Sequence, residues 1–106
     1  MSAADFKSPF TWCFSVFAAP EPGVMPRVLD LFAKRGLVPL RFHSDVIDGG
    51  PSGLVIDIHV DALAEDVAAH VANCLRRLVH VERVLTATKS AKSERGLGRA
   101  PAGAAV

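Results

Sequence analysis

The sequence predicts an α+β fold, a four-stranded antiparallel sheet with two helices on one face. Three observations predict it. Four segments (residues 10–18, 39–47, 54–60 and 81–88) read as strands, with apolar alternation clearest in the first three. Two further segments repeat apolar residues with helical spacing, and a Gly-rich cluster, Asp48-Gly-Gly-Pro-Ser-Gly53, divides the chain into halves of the same pattern.

In the first segment Trp12, Phe14 and Val16 alternate with Cys13, Ser15 and Phe17. Pro20 and Pro22 stop it, because neither can donate to a strand ladder. The helix that follows places Val24, Val28, Leu31 and Phe32 at i, i+4, i+7 and i+8, with Arg27, Asp30 and Lys34 on the wet side. Pro26 suits the first turn, where its missing N–H is not needed. Gly36 reads as the C-cap, after Lys34 and Arg35 at the negative end of the helix dipole.

Residues 39–47 resume alternation, with Leu40, Phe42, Ser44 and Val46 opposite Arg41, His43 and Asp45. After the Gly-rich turn, Leu54, Ile56, Ile58 and Val60 face inward while Val55, Asp57 and His59 face outward. Asp61 is the expected N-cap of the second helix, with Glu65 and Asp66 in its first turn. Val67, Val71, Cys74, Leu75 and Leu78 form its expected stripe, and Arg76 and Arg77 close it. Residues 1–9 read as a flexible arm, 10–88 as one domain, and 89–106 as a disordered basic and Ala/Gly-rich tail that cannot bury itself. Strand, helix, strand, strand, helix, strand with right-handed crossovers is the ferredoxin-like βαββαβ arrangement. Its second sheet face stays open, which accounts for the polar alternates Arg41, His43, Asp57 and His59.

A chain of 106 residues, half of them apolar, supports one small core. No apolar run approaches the roughly 20 residues of a membrane span. The first residues lack a secretory pattern, so a cytoplasmic location is expected. Twelve Lys and Arg against eleven Asp and Glu give a net charge of +1, no field for nucleic acid or membrane lipid. Cys13 and Cys74 are far apart in sequence and are expected as reduced, buried thiols.

The first half, Phe14-Ser-Val-Phe through Glu21-Pro-Gly-Val-Met-Pro-Arg-Val-Leu-Asp-Leu-Phe-Ala-Lys-Arg-Gly-Leu37, resembles the opening of an ACT domain, the small amino-acid-sensing regulatory module. Ile56-Asp-Ile-His-Val60 and Cys74-Leu-Arg-Arg-Leu-Val-His-Val-Glu-Arg-Val84 resemble the regulatory (small) subunit of acetolactate synthase, in branched-chain amino acid biosynthesis. The resemblance covers about residues 11–88. It implies a homodimer in which an amino acid effector sits between the first turn of one copy and the early second strand of the other. Those positions are here Glu21, Pro22, Gly23, Val24 and Met25, and Leu37, Val38, Pro39 and Leu40. It also implies a large catalytic subunit of a thiamine-dependent synthase as partner. Thiamine diphosphate, magnesium or flavin would belong to that partner, and no cofactor is expected on this chain. Branched-chain-binding relatives place an amide side chain near the positions of Pro20 and Val38, and neither residue offers one.

Other constellations are weaker. Cys13, His43, Asp57 and His59 fall on the open sheet face and include zinc-ligand types, but their spacing is loose and such faces are solvated or buried in a dimer. Arg41 and Asp57 read as a cross-strand charge pair. His70, His80, Ser15 and Ser44 lack partners at triad-like spacing, so no catalytic residue is expected. Trp12, Phe14 and Phe42 lack the basic interleaving of an RNA-recognition sheet. The resulting expectation is a regulatory domain that is not an enzyme. The competing expectation is a stand-alone small-molecule sensor or a structural dimerisation module.

Overall fold

The computed structural model describes residues 10–48 and 53–90. The expected arm (1–9), the centre of the expected turn (49–52) and most of the expected tail (91–106) lie outside the described residues. Six elements follow one another: β1 (Phe10–Ala18), α1 (Val24–Lys34), β2 (Arg41–Val46), β3 (Leu54–Asp61), α2 (Glu65–Arg76) and β4 (Val81–Ser90). All three strand pairings are antiparallel and the order is β2-β3-β1-β4. This is the expected ferredoxin-like βαββαβ fold. Among the described residues no helix is long and apolar enough to cross a membrane.

The pleat sorts the side chains. Phe14, Val16 and Ala18 of β1 stand beside Ile58, Ile56 and Leu54 of β3, and all are buried beneath the helices. α1 adds Val24, Val28, Leu31 and Phe32, the four residues its spacing selects. Phe14 and Phe32 meet edge to face, with ring centroids 5.8 Å apart. Trp12 is half-buried against this core, and its indole Nε1 donates to the Leu63 carbonyl at 2.8 Å.

α1 ends as the sequence implies. Gly36 takes φ +69°, its N–H reaches the Ala33 carbonyl at 2.9 Å, and the Leu37 N–H reaches the Phe32 carbonyl at 2.9 Å. These two bonds define a Schellman cap. A methyl group at Gly36 would meet nothing within 4 Å. The cost of Gly36→Ala is therefore conformational, about 1 kcal/mol by urea denaturation, once the stiffer unfolded chain offsets part of the left-handed penalty.

Three expectations are corrected. Asp61 does not cap α2: it completes β3 opposite Thr11, whose hydroxyl donates to Asp61 Oδ1 at 3.2 Å. The helix begins only after Ala62 turns the chain at φ +56°, and its N-cap position, Ala64, has no side-chain hydrogen bond. Val67 is not in the core but 36 % exposed, whereas Ala68, Val71, Ala72 and Leu75 are buried. α2 lies so close to the sheet that alanines fill the contact. Cys74 is only half-buried, and no disulfide joins it to the buried Cys13.

β2 is one edge of the sheet, and the helices cover it only in part. It is shorter than expected because Pro39 has no N–H to donate, although Leu40 still donates to the His59 carbonyl at 2.7 Å. Phe42 packs on the core, but Val46, on the same strand face, and Leu40, just before the strand, are 71 % and 59 % exposed. Neither helix reaches over them.

Candidate functional site

The turn between β1 and α1 borders a hollow of about 160 Å³ lined by Pro20, Glu21, Pro22, Met25, Val46 and Leu54. Val46 pairs with Leu54, so the end of β2 forms one wall and the turn the other. The Val24 N–H is taken by the Glu21 carbonyl at 3.1 Å, and Pro26 has none. Gly23 and Met25 therefore supply the open amides of the first turn, where the helix dipole favours negative charge. α1 carries no acidic residue in that turn and no side-chain cap.

Sequence reasoning assigned Arg27 to the wet side of α1 and missed its reach. The guanidinium folds back over the turn, with Nη1 donating to the Gly23 carbonyl at 3.1 Å. A side chain at Gly23 would collide with that guanidinium. The i to i+4 spacing of Gly23 and Arg27 is the signal that could have found it.

The structure divides the expected site residues into two groups. Glu21, Pro22, Gly23, Val24 and Met25 stand at the amino-terminal end of α1, with Val24 buried in the core and the others half-buried or exposed. Leu37, Val38, Pro39 and Leu40 follow its carboxy-terminal end. Nine helical residues, 26–34, lie between them, a length of about 14 Å. One chain does not bring the two groups together.

The open sheet face carries the weaker constellation. Cys13 pairs with His59, which pairs in turn with Arg41, and Asp57 pairs with His43. Among the described residues no group of three or more His, Cys, Asp or Glu is placed to hold a metal ion. Arg41 Nε lies 3.8 Å from Asp57 Oδ2, an exposed contact that contributes little. Phe17 is the aromatic ring on this face, and Arg83 covers it at 4.3 Å.

His59 is only 12 % exposed, with Nε2 3.2 Å from Asp57 Oδ2. Burial lowers its pKa below the ordinary 6.5, outweighing the Asp57 carboxylate, while Lys89 and Arg41 push the same way. Between the folded and ordinary values the unfolded chain binds more protons, so stability rises with pH there. The contribution of neutral His59 is complete above the ordinary value and lost as pH falls through the folded one. Urea midpoints measured from about pH 7.5 down to about pH 5 should fall for the wild type and fall less for His59→Gln.

Comparison with known proteins gives a consistent picture. A family profile described as an ACT-like domain matches residues 7–93. No curated protein matches the chain. Among solved structures, the ACT domain of GTP pyrophosphokinase from Chlorobium tepidum superposes with a TM-score of 0.63 at 12 % identity, over 76 % of this chain and 100 % of that one. The carboxy-terminal domain of MgtC from Mycobacterium tuberculosis gives 0.61 at 10 % identity, over 76 % and 88 %. The regulatory subunit of aspartate kinase from Thermus flavus gives 0.55 at 17 % identity, over 74 % of this chain and 50 % of that one. At such identities the superpositions speak for the fold, and the family profile, which spans most of the sequence, places the chain in the ACT-like domain family.

Proposed function

We propose that this regulatory module works as a homodimer joined through its β2 edges, with an amino acid effector held where the two copies meet. The observation that carries the reading is the pattern along β2. An antiparallel β2–β2 pairing centred on His43 sets Leu40 of one copy opposite Val46 of the other, on the helix side. On the open side the same register sets Arg41 opposite Asp45. Apolar residues meet apolar ones and a cation meets a carboxylate, the cross-strand pairs that stabilise a sheet. The exposed edge and its two uncovered side chains are buried in the same step.

That register also unites the divided site. Val46 walls the hollow at the turn, so Leu40 of the second copy arrives beside Met25 and Glu21 of the first. An amino acid's carboxylate would meet the Gly23 and Met25 amides and the Arg27 guanidinium, and its side chain would lie between Met25 and Leu40 of the other copy. Pro20 and Val38 offer no amide side chain, which favours apolar contacts over side-chain hydrogen bonds. By the likeness of residues 74–84 to its small subunit, the catalytic partner is the large subunit of acetolactate synthase, with this chain as accessory.

Sedimentation analysis tests the dimer. Arg41→Asp and Asp45→Arg should each weaken self-association, and the double exchange should restore it. A monomeric wild type, or a double variant no better than the singles, rules out this edge. A thermal-shift panel of branched-chain, aromatic and sulfur amino acids tests the effector, and a flat response removes it. Co-expression with the large subunit tests the partner: no complex and unchanged synthase activity would leave a stand-alone sensor or dimerisation module.

A further inference from the structure

The helix layer carries a second concavity, separate from the turn and the β2 edge. α1 and α2 leave an open groove of about 490 Å³ between them, within the size range of small-molecule sites. Leu31, Leu78 and the Cys74 thiol form its apolar part, and Lys34, Arg35 and Arg77 line it with positive charge. Arg27 reaches it too, and Asp30 is the one carboxylate in the lining. Four cations therefore face one carboxylate, in a chain whose totals are twelve and eleven.

The local pairings leave that excess uncancelled. Asp30 is occupied by Lys34 at 3.0 Å. Arg77 has no carboxylate partner among the described residues. Arg35 is held by an imidazole and a thiol rather than a carboxylate, with Nη2 2.7 Å from His70 Nε2 and 3.3 Å from Cys74 Sγ. A guanidinium only donates, so in this contact His70 Nε2 is on the accepting side. His70 thus orients Arg35 without neutralising it. Helix C-termini favour cations in general, but that preference does not require Arg35 and Arg77, from two helices, to face one groove.

We propose that this groove binds a small organic dianion, a phosphate or dicarboxylate head on an apolar body that lies against Leu31 and Leu78. The head meets Arg35 and Arg77, whose planar forks suit both oxyanions. The reading is independent of the proposed dimer and effector, and Arg27 is left out of its tests because it also reaches the turn.

Cys74 supplies the readout, since Cys13 is 7 % exposed and lies on the other sheet face. Its rate is measured with the dianionic aromatic disulfide 5,5′-dithiobis(2-nitrobenzoate) and with the neutral 4,4′-dithiodipyridine. In both, the Cys74 thiolate attacks one sulfur, the S–S bond breaks, the aryl thiolate leaves with its electron pair, and the thiol's proton passes to the buffer. The ratio of the two rates removes most of the thiol's own reactivity and isolates selection for charge. That ratio should fall at least about 3-fold in Arg77→Gln and in Arg35→Gln, rise in Asp30→Asn, and shrink with added salt. Phenyl phosphate or phthalate should protect Cys74 saturably where benzyl alcohol does not, and the stronger protector identifies the head group. Amide spectra of the full chain with phenyl phosphate should shift at Lys34, Arg35 and residues 74–78. Equal ratios in all variants, protection by benzyl alcohol as strong as by the anions, or amide shifts that never saturate would overturn the proposal.

Discussion

Phe32→Ala is expected to leave the domain largely unfolded. Phe32 is completely buried and meets Phe14, also completely buried, in an edge-to-face contact at 5.8 Å. It is the point where α1 anchors to the central strand β1. Truncating such a ring costs about 3–5 kcal/mol, from lost transfer energy and from the cavity left behind. Small domains hold only about 5–15 kcal/mol in total, and this one sits in a chain of 106 residues with a single two-layer core. Urea denaturation followed by circular dichroism should show a transition moved to low denaturant, or none. An unfolding free energy within about 1 kcal/mol of the wild type would mean that α1 does not pack as described.

The second large effect is a contrast along α2. Leu75→Ala should cost about 2–5 kcal/mol, because Leu75 is completely buried against the sheet. Val67→Ala should cost about 0.5 kcal/mol or less, since Val67 is 36 % exposed and alanine is the better helix former. Equal losses would mean that α2 is rotated toward the stripe that hydropathy alone suggests. The same denaturation measurement decides it.

That contrast marks where the sequence stops being legible. Periodicity names large apolar residues, and on α1 those are the buried ones: Val24, Val28, Leu31 and Phe32. On α2 the close approach to the sheet selects Ala68 and Ala72, which carry little hydropathic signal, and turns Val67 to the rim. Asp61 failed as a cap for a related reason. Its residue type suits a cap, but the β1–β3 register holds it opposite Thr11 before the helix starts.

For the candidate site, sequence and structure contribute different halves. The turn at Glu21–Met25 follows from Pro20, Pro22 and Gly23, local features that spacing alone exposes. Arg27 over Gly23, and Val46 as the wall of the hollow, depend on a side chain folding back and on β2 ending beside Leu54. The inter-helix groove was illegible altogether, since Arg35 and Cys74 are 39 residues apart and meet only when α1 packs against α2.

By itself, then, the sequence determined the element order, the fold class, the α1 stripe and its Gly36 stop. Each of these is set by interactions within a few residues, where periodicity and backbone restriction act. Only the tertiary structure decided which face of α2 is buried, why β2 is covered only in part, and where the cations gather. Those are properties of surfaces brought together from distant parts of the chain, and no local pattern encodes the distance between them.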